Sequence, residues 1–200
     1  GLRVTETDIG RLGMLICGEN TNPLSRYALM AEGEQVHIST YPPIWPTRPP
    51  SDNTGYDLRK AIEIRAGAHA FEAKVFNIVS SSLADEKLVT AVARDDRNIR
   101  EIIERSPKSV SMILDPTGSV TSEIISGEEG IVYGEIDTAL SVEPKQFHDV
   151  VGYYNRFDIF DVRVDRSARE PARYIETLLA QPADSEDQRS DRFVERGRTQ

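Results

Sequence analysis

Strand-length apolar runs alternate with helix-length segments over the first 105 residues, and this alternation restricts the fold more than any other feature of the sequence. Apolar and β-branched runs predict strands at residues 11–16, 35–40 and 74–82. Helical spacing predicts helices at residues 23–33, 56–73 and 85–105, the last broken near Asp95 and Asp96. Asn22 suits an N-cap and Pro23 the first helical position. The pattern indicates a mixed α/β class.

The pattern changes after Pro107. Three short apolar segments, residues 111–114, 119–124 and 131–137, are separated by the turn sequences DPTG and GEEG. This order predicts three antiparallel strands, which would make the sheet mixed.

Residues 1–165 are predicted to form one domain, with residues 166–200 as a largely flexible carboxyl-terminal extension. Residues 181–200 are polar and offer no apolar face for a core. The proline-rich segment 41–55 predicts a long ordered loop or lid.

Charge and composition exclude several classes of partner. The net charge of −9 makes general attraction to nucleic acid or to an anionic membrane unfavourable. No apolar stretch reaches the roughly 20 residues of a membrane span, and one cysteine forms no internal disulfide. A cytoplasmic location is expected. The chain starts at Gly1 without a methionine, as a processed end or a cut through a longer protein would.

Cys17 is placed where the first predicted strand ends and a helix is about to start. A tight turn there would lift the thiol out of the sheet beside free backbone N–H groups, and Gly18 would relieve the turn sterically. This is the geometry of a nucleophile elbow, which needs a nearby base or cation to form the thiolate. On composition alone, a buried structural cysteine is the more common case.

The residues around Cys17 carry a family resemblance. ICGENTNPLSRYALMAEGEQVHIS resembles the cysteine motif of the nitrilase branch of the carbon-nitrogen hydrolase superfamily. HAFEAKVFNIVSSS, SMILDPTGSVTSEII with GEEGIVYGEID, and DVVGYYNRFDIFDVRVD resemble the same branch in the same order. Gly18 and Asn20 stand where this branch more often has Trp and His, and Tyr153 and Phe157 where it has His and Pro. These departures bear on substrate preference.

The resemblance implies an αββα sandwich with a mixed sheet, of which this chain supplies the later strands and helices. Cys17 would be the nucleophile, the N–H of Gly18 would stabilise developing negative charge, and Glu19 would hold the turn through hydrogen bonds. The family's glutamate base and lysine come from earlier sequence, yet only Glu6 and no lysine precede Cys17 here. The chain therefore resembles the carboxyl-terminal half of such a protein.

The implied reaction is hydrolysis of a small-molecule nitrile to acid and ammonia through a covalent thioimidate and thioester, without metal or organic cofactor. An amidase or a cyanide hydratase of the same superfamily would use the same parts. Two further alternatives remain: an inactive truncated homologue that acts as an interaction module, and a redox-sensing thiol.

Other residues carry weaker predictions. Tyr41, Pro42 and Trp45 follow the strand beside the turn, where they either line a substrate pocket or pack a loop. His69 and Glu72 have helical spacing and are predicted to form a packed or hydrogen-bonded pair, since two ligands make no metal site.

The remaining predictions concern three other side chains and the assembly. His37 is predicted to be a satisfied core histidine and His148 a surface one, and nothing in the spacing joins Lys74 or Lys145 to Cys17. The resemblance implies a homo-oligomer, a dimer that pairs through residues 56–73 and builds larger spirals through the extension. Without earlier strands, the sheet is expected to expose an apolar edge near Arg11.

Overall fold

Five strands form one mixed sheet in the computed structural model, which describes residues 2–45 and 56–167. The strands are β1 (Thr5–Thr7), β2 (Gly10–Ile16), β3 (Val36–Tyr41), β4 (Phe76–Ser81) and β5 (Met112–Leu114). They lie in the order of the sequence, with β2, β3 and β4 parallel and β1 and β5 antiparallel at the edges. The predicted mixed α/β class is confirmed.

Four α-helices follow the predicted positions. They are α1 (Pro23–Ala31), α2 (Leu58–Ala73), α3 (Glu86–Ala93) and α4 (Arg97–Arg105). The Asn22 side chain accepts a hydrogen bond from the Leu24 N–H at 3.0 Å, which confirms the predicted N-cap of α1. The predicted break near Asp95 and Asp96 is also confirmed, because Asp96 caps α4 as a separate helix. Short 3-10 helices occupy Cys17–Thr21, Thr138–Ser141 and Glu143–Gln146.

The two faces of the sheet differ in burial. Leu58, Ile62 and Ala66 of α2 pack against buried residues of β4 and β5, which forms the main apolar core. Side chains alternate between the faces of a strand, so the neighbours of buried Leu15 point the other way. Met14 is 52% exposed and Ile16 58% exposed. The face opposite the helices is therefore apolar and partly open along β2.

The predicted apolar edge near Arg11 is wrong. A short polar strand, β1, covers that edge, with Glu6 opposite Arg11 in the register. The sequence TET gave no apolar alternation by which this strand could be recognised. The exposed apolar surface lies on the face of β2 rather than at the edge of the sheet.

The predicted three-strand meander is also largely wrong. The DPTG turn forms, and single bridges join Ser111 to Ile125 and Leu114 to Val120, but among the described residues only β5 is a regular strand after α4. The Ser122 hydroxyl accepts the hydrogen bond of the Ile113 N–H at 2.8 Å, so a side chain replaces a backbone partner in the ladder. Ile131 and Tyr133 are 71% and 78% exposed, so the third segment has no buried face to order it.

Within the described ranges, no helix is both long and apolar enough to cross a membrane. The described residues up to Arg166 belong to one compact unit. The predicted extension, apart from residues 166 and 167, and most of the predicted loop lie outside the described residues.

Candidate functional site

Cys17 lies directly after β2 in a left-handed backbone conformation, with φ of 45°. This conformation costs a non-glycine residue roughly 1–2 kcal/mol, and such strain is concentrated at functional turns. Sequence reasoning assigned the steric relief of the turn to Gly18, whereas the left-handed residue in the structure is Cys17 itself. A Cβ atom at Gly18 would meet no atom within 4 Å, so the space on that side of the Gly18 backbone is open.

The Glu19 carboxylate stabilises the turn. It accepts a hydrogen bond from the Ile16 N–H at 2.8 Å, and the Glu19 carbonyl accepts one from the Asn22 N–H at 3.0 Å. The predicted hydrogen-bonding role of Glu19 is confirmed by these contacts.

Cys17 is partly buried and packs against the apolar core beside Tyr41. Tyr41 is only 4% exposed, and burial raises the pKa of its phenol. The Arg65 guanidinium lies 5.0 Å from the centre of the Tyr41 ring and donates a hydrogen bond to the Thr21 hydroxyl at 3.1 Å. Sequence reasoning missed Arg65, because only the register between α2 and the turn brings this cation close.

The other two predicted pocket residues follow Tyr41. Pro42 is partly exposed and Trp45 is 53% exposed, at the border of the undescribed segment 46–55. Their part in a substrate pocket, like that of Tyr41, stays a prediction.

Three fully buried side chains meet near the turn: Glu34 and His37 from around the start of β3, and His69 from α2. Glu34 hydrogen-bonds to His37 Nδ1 at 3.0 Å through one oxygen and to His69 Nε2 through the other. The predicted pairing of His69 with Glu72 is wrong, because Glu72 instead binds Arg26 at 2.6 Å. His37 is a satisfied core histidine as predicted, and His148 is exposed as predicted.

Asn20 joins these side chains to the Cys17 turn. Its amide nitrogen donates to the carbonyls of Leu15 at 3.0 Å and Cys17 at 3.4 Å, and its oxygen lies 3.0 Å from His37 Nε2. Ser39 bridges the oxygens of Asn20 and Asn77 at 3.2 Å and 3.0 Å. We call this set the buried polar network; its members are Asn20, Glu34, His37, Ser39, His69 and Asn77.

A glycine within β2 makes room for the network. A Cβ atom at Gly13 would lie 1.9 Å from a Glu34 carboxylate oxygen, so any side chain there would displace Glu34. The isolated glycine in a strand pattern was thus a sequence signal of close approach.

Opposing effects set the ionisation of the network. Burial alone would raise the pKa of Glu34, but hydrogen bonds from His37 and His69 outweigh it and leave that pKa below its ordinary value. For His69, burial lowers the pKa more than the bond to Glu34 raises it. At neutral pH these shifts favour a Glu34 carboxylate beside a neutral His69.

These shifts predict a loss of stability in acid. Because the pKa of folded His69 is depressed, the unfolded chain takes up its proton first as pH falls below about 6.5, and stability declines from there. The depressed pKa of Glu34 adds a further loss as pH falls below its unfolded value. His69→Gln keeps an N–H donor for Glu34 and is expected to remove up to about 1.4 kcal/mol per pH unit of this dependence. Urea unfolding between about pH 7 and 5 measures it, and equal slopes for both proteins would contradict the prediction.

One carboxylate oxygen of Glu34 and one ring nitrogen each of His37 and His69 lie within 4.8 Å of one another, a spacing that could hold a metal ion. In the structure, their facing atoms are already hydrogen-bonded to one another, and all three side chains are inaccessible to solvent. We therefore describe them as a hydrogen-bonded set.

Two candidate charge partners of Cys17 lie at the opposite end of the sheet. Glu6 is opposite Arg11, six residues before Cys17, which is about 20 Å along a strand. Lys74 precedes β4, is buried over the Phe71 ring at 3.5 Å, and has its pKa lowered by burial. Neither side chain can reach the Cys17 turn.

Comparison with known proteins extends this description. Residues 1–146 match the carbon-nitrogen hydrolase family. The chain is 31% identical to Nitrilase 3 of an unknown prokaryotic organism over 169 residues, 84% of this chain and 48% of that protein. It is 35% identical to a bromoxynil-specific nitrilase of Klebsiella pneumoniae subsp. ozaenae over 173 residues, 86% of this chain and 46% of that protein. The chain thus spans about half the length of the curated relatives it matches.

Solved structures agree on the fold. A carbon-nitrogen hydrolase from Helicobacter pylori G27 superposes with a TM-score of 0.57 at 17% identity, over 76% of this chain and 48% of that one. At this identity the likeness concerns the fold alone, and it agrees with the predicted αββα sandwich. The described residues supply one mixed sheet with helices on one face.

Proposed function

The chain belongs to the nitrilase branch of the carbon-nitrogen hydrolase family, and from this membership we propose that the full protein hydrolyses a nitrile with Cys17 as its nucleophile. One observation carries the proposal: the only cysteine of the chain occupies a strained, left-handed turn where a parallel strand ends. A strained residue at a strand-to-helix turn is the arrangement that presents a nucleophile to substrate.

The proposed reaction begins with attack of the Cys17 thiolate on the nitrile carbon. The carbon–nitrogen π electrons move to nitrogen, which takes a proton, and a thioimidate results. Water adds to this carbon, ammonia leaves, and a thioester remains. A second water molecule then releases the carboxylic acid and the free thiol.

The described residues would serve this reaction in distinct ways. The Gly18 N–H is proposed to stabilise negative charge on the substrate, an effect worth about 2.7–4 kcal/mol for one well-placed donor. Open space beside Gly18 would admit the substrate. Glu19 is already bound to the Ile16 N–H, so the proton-transferring glutamate and the charge-stabilising lysine are proposed to come from elsewhere in the full protein.

A covalent adduct tests the proposal. The full protein is expected to release ammonia from at least one member of a nitrile panel that includes bromoxynil and cyanide. Mass spectrometry of acid-quenched turnover should find the acyl or imidate group on the peptide that contains Cys17. Release of the amide without ammonia would indicate a hydratase. The tetrahedral intermediate that forms when water adds to the thioimidate can expel the thiolate instead of ammonia. Turnover without any adduct on this peptide would contradict the proposed nucleophile.

We also propose that the protein forms a dimer through α2. Ile64 and Phe71 are 59% and 42% exposed and lie seven residues apart, on one outer stripe of this helix. Ile64→Asp is expected to dissociate the dimer, whereas Ile99→Asp, at a partly exposed position of α4, should leave it intact. Light scattering after size-exclusion chromatography measures both masses.

The carboxyl-terminal extension is proposed to build larger particles from such dimers. Deletion of residues 181–200 is expected to reduce the particle mass while the dimer persists. Identical masses before and after deletion would remove the extension from the assembly.

A further inference from the structure

We propose that His37 is a buried imidazolium that hydrogen-bonds through both ring nitrogens and, by way of Asn20, positions the Cys17 turn. Its protonation follows from the arrangement of donors and acceptors around an ionised Glu34. Its effect on turnover rests on the function proposed above.

The orientation of the Asn20 amide decides the first step. Two backbone carbonyl oxygens, those of Leu15 and Cys17, lie 3.0 Å and 3.4 Å from its nitrogen. A carbonyl only accepts, so the NH₂ group must face this pair and the Asn20 oxygen must face His37. His37 Nε2, 3.0 Å from that oxygen, therefore donates and carries a proton.

The other nitrogen of His37 faces a carboxylate. His37 Nδ1 lies 3.0 Å from a Glu34 oxygen, while the second Glu34 oxygen binds His69. The pKa of Glu34 lies below its ordinary value, so at neutral pH Glu34 is a carboxylate that only accepts, and each imidazole nitrogen that it meets donates. His37 Nδ1 then carries a proton as well, and the ring is positively charged.

Stacking with His69 assigns the charge to one ring. The His37 and His69 ring centres are 3.8 Å apart and the rings are stacked, so two positive charges there would repel. Burial keeps His69 neutral, as its lowered pKa indicates. The other charged groups near the pair, Arg26 and Glu72, neutralise each other at 2.6 Å.

Hydrogen bonds through Asn20 connect the protonated His37 ring to the backbone of the Cys17 turn. The His37 N–H holds the Asn20 oxygen, and the Asn20 amide nitrogen donates to the carbonyls of Leu15 and Cys17. These bonds fix the backbone at Cys17, where φ is 45°. A strained residue persists only where its surroundings over-determine it. Glu34, His37 and Asn20 are therefore positioning residues, which act on substrate through Cys17.

Nuclear magnetic resonance of the wild-type full protein tests the protonation directly. With ¹⁵N-labelled histidine at neutral pH, both nitrogens of His37 are expected to carry bonded protons, because each faces an acceptor. His69 should show one protonated nitrogen at the same pH. An unprotonated His37 Nδ1, as a protonated Glu34 would produce, overturns the proposal, and so does a metal ion bound at these residues. This measurement does not depend on the substrate.

The positioning role is tested by Glu34→Gln, with Glu63→Gln as the matched control. Glu63 is on α2 in a surface ion pair with Arg59 at 2.9 Å, outside the buried polar network. Glu34→Gln should convert His37 to a neutral ring, slow Cys17 alkylation by iodoacetamide several-fold, and lower kcat by roughly 10- to 100-fold with little change in KM. Glu63→Gln should match wild type. Wild-type alkylation and kcat in a Glu34→Gln protein whose His37 is neutral would overturn the positioning role. Slowed alkylation without any nitrile turnover in the wild-type protein would support that role and reject the proposed function instead.

Discussion

Cys17→Ala is expected to abolish nitrile hydrolysis by the full protein while leaving its fold intact. Without sulfur no thioimidate can form, and loss of a catalytic nucleophile typically costs several orders of magnitude in kcat. Ammonia release from the best nitrile of the panel measures the loss. Retained turnover at the wild-type rate would rule out Cys17 as the nucleophile.

The fold of this variant should survive because alanine is smaller than cysteine and meets the same backbone requirement. Cys17 is only partly buried, so the loss of its sulfur leaves no enclosed cavity. Alanine at φ of 45° carries about the same strain as cysteine. Cys17→Gly offers a matched control: it should be equally inactive yet more stable than Cys17→Ala, because glycine adopts this conformation without strain. Thermal unfolding of the three proteins separates loss of chemistry from loss of structure.

Local chemistry explains why the sequence predicted most of the helices and strands. Asn22, Asp57, Asp85 and Asp96 cap the four helices by hydrogen bonds to N–H groups two or three residues on, so each start is encoded within a few positions. The parallel strands have enough apolar residues to be recognised by composition alone. The prediction of a meander failed because the Ile113 N–H bonds to the side-chain hydroxyl of Ser122 instead of to a backbone carbonyl of a neighbouring strand.

The candidate site was predictable only in part. The position of Cys17 between strand and helix could be inferred from neighbours in sequence. The bond between Glu34 and His69 joins residues 35 positions apart, and helical spacing suggested Glu72 as the partner instead. Glu19 and Asn20 hydrogen-bond to the backbone of Ile16 and Leu15 beside the turn, and no local sequence signal placed the left-handed residue at Cys17.

The second large effect concerns the 200-residue chain taken by itself, which is expected to release no ammonia from any nitrile. Three side chains considered as partners of Cys17, those of Glu6, Glu19 and Lys74, do not serve it in the structure. Glu6 and Lys74 lie about 20 Å away at the other end of the sheet, and Glu19 is bound to the Ile16 N–H. A cysteine nucleophile that has no base to take its proton is poorly activated for attack on a nitrile.

The isolated 200-residue chain is also expected to be poorly soluble, because it exposes apolar surface. Met14 and Ile16 are more than half exposed on the open face of β2, which is unfavourable in water and favours aggregation. Expression together with the part of the fold that a full-length nitrilase relative has and this chain lacks, fused or as a separate fragment, is expected to restore both solubility and nitrile hydrolysis. Circular dichroism of the isolated chain should be recorded first, so that inactivity of a folded chain is distinguished from failure to fold.

Two substitutions in the full protein test whether the base or the lysine lies within these 200 residues. Glu6→Gln and Lys74→Met are expected to retain turnover within about threefold of wild type, because neither side chain reaches the Cys17 turn. Lys74→Met also preserves an apolar contact with Phe71, so packing over that ring is disturbed little. If the isolated chain hydrolyses nitriles, or if either substitution abolishes turnover in a folded protein, then the missing base or lysine lies within these 200 residues. The assignment of proton transfer to another part of the full protein would then be wrong.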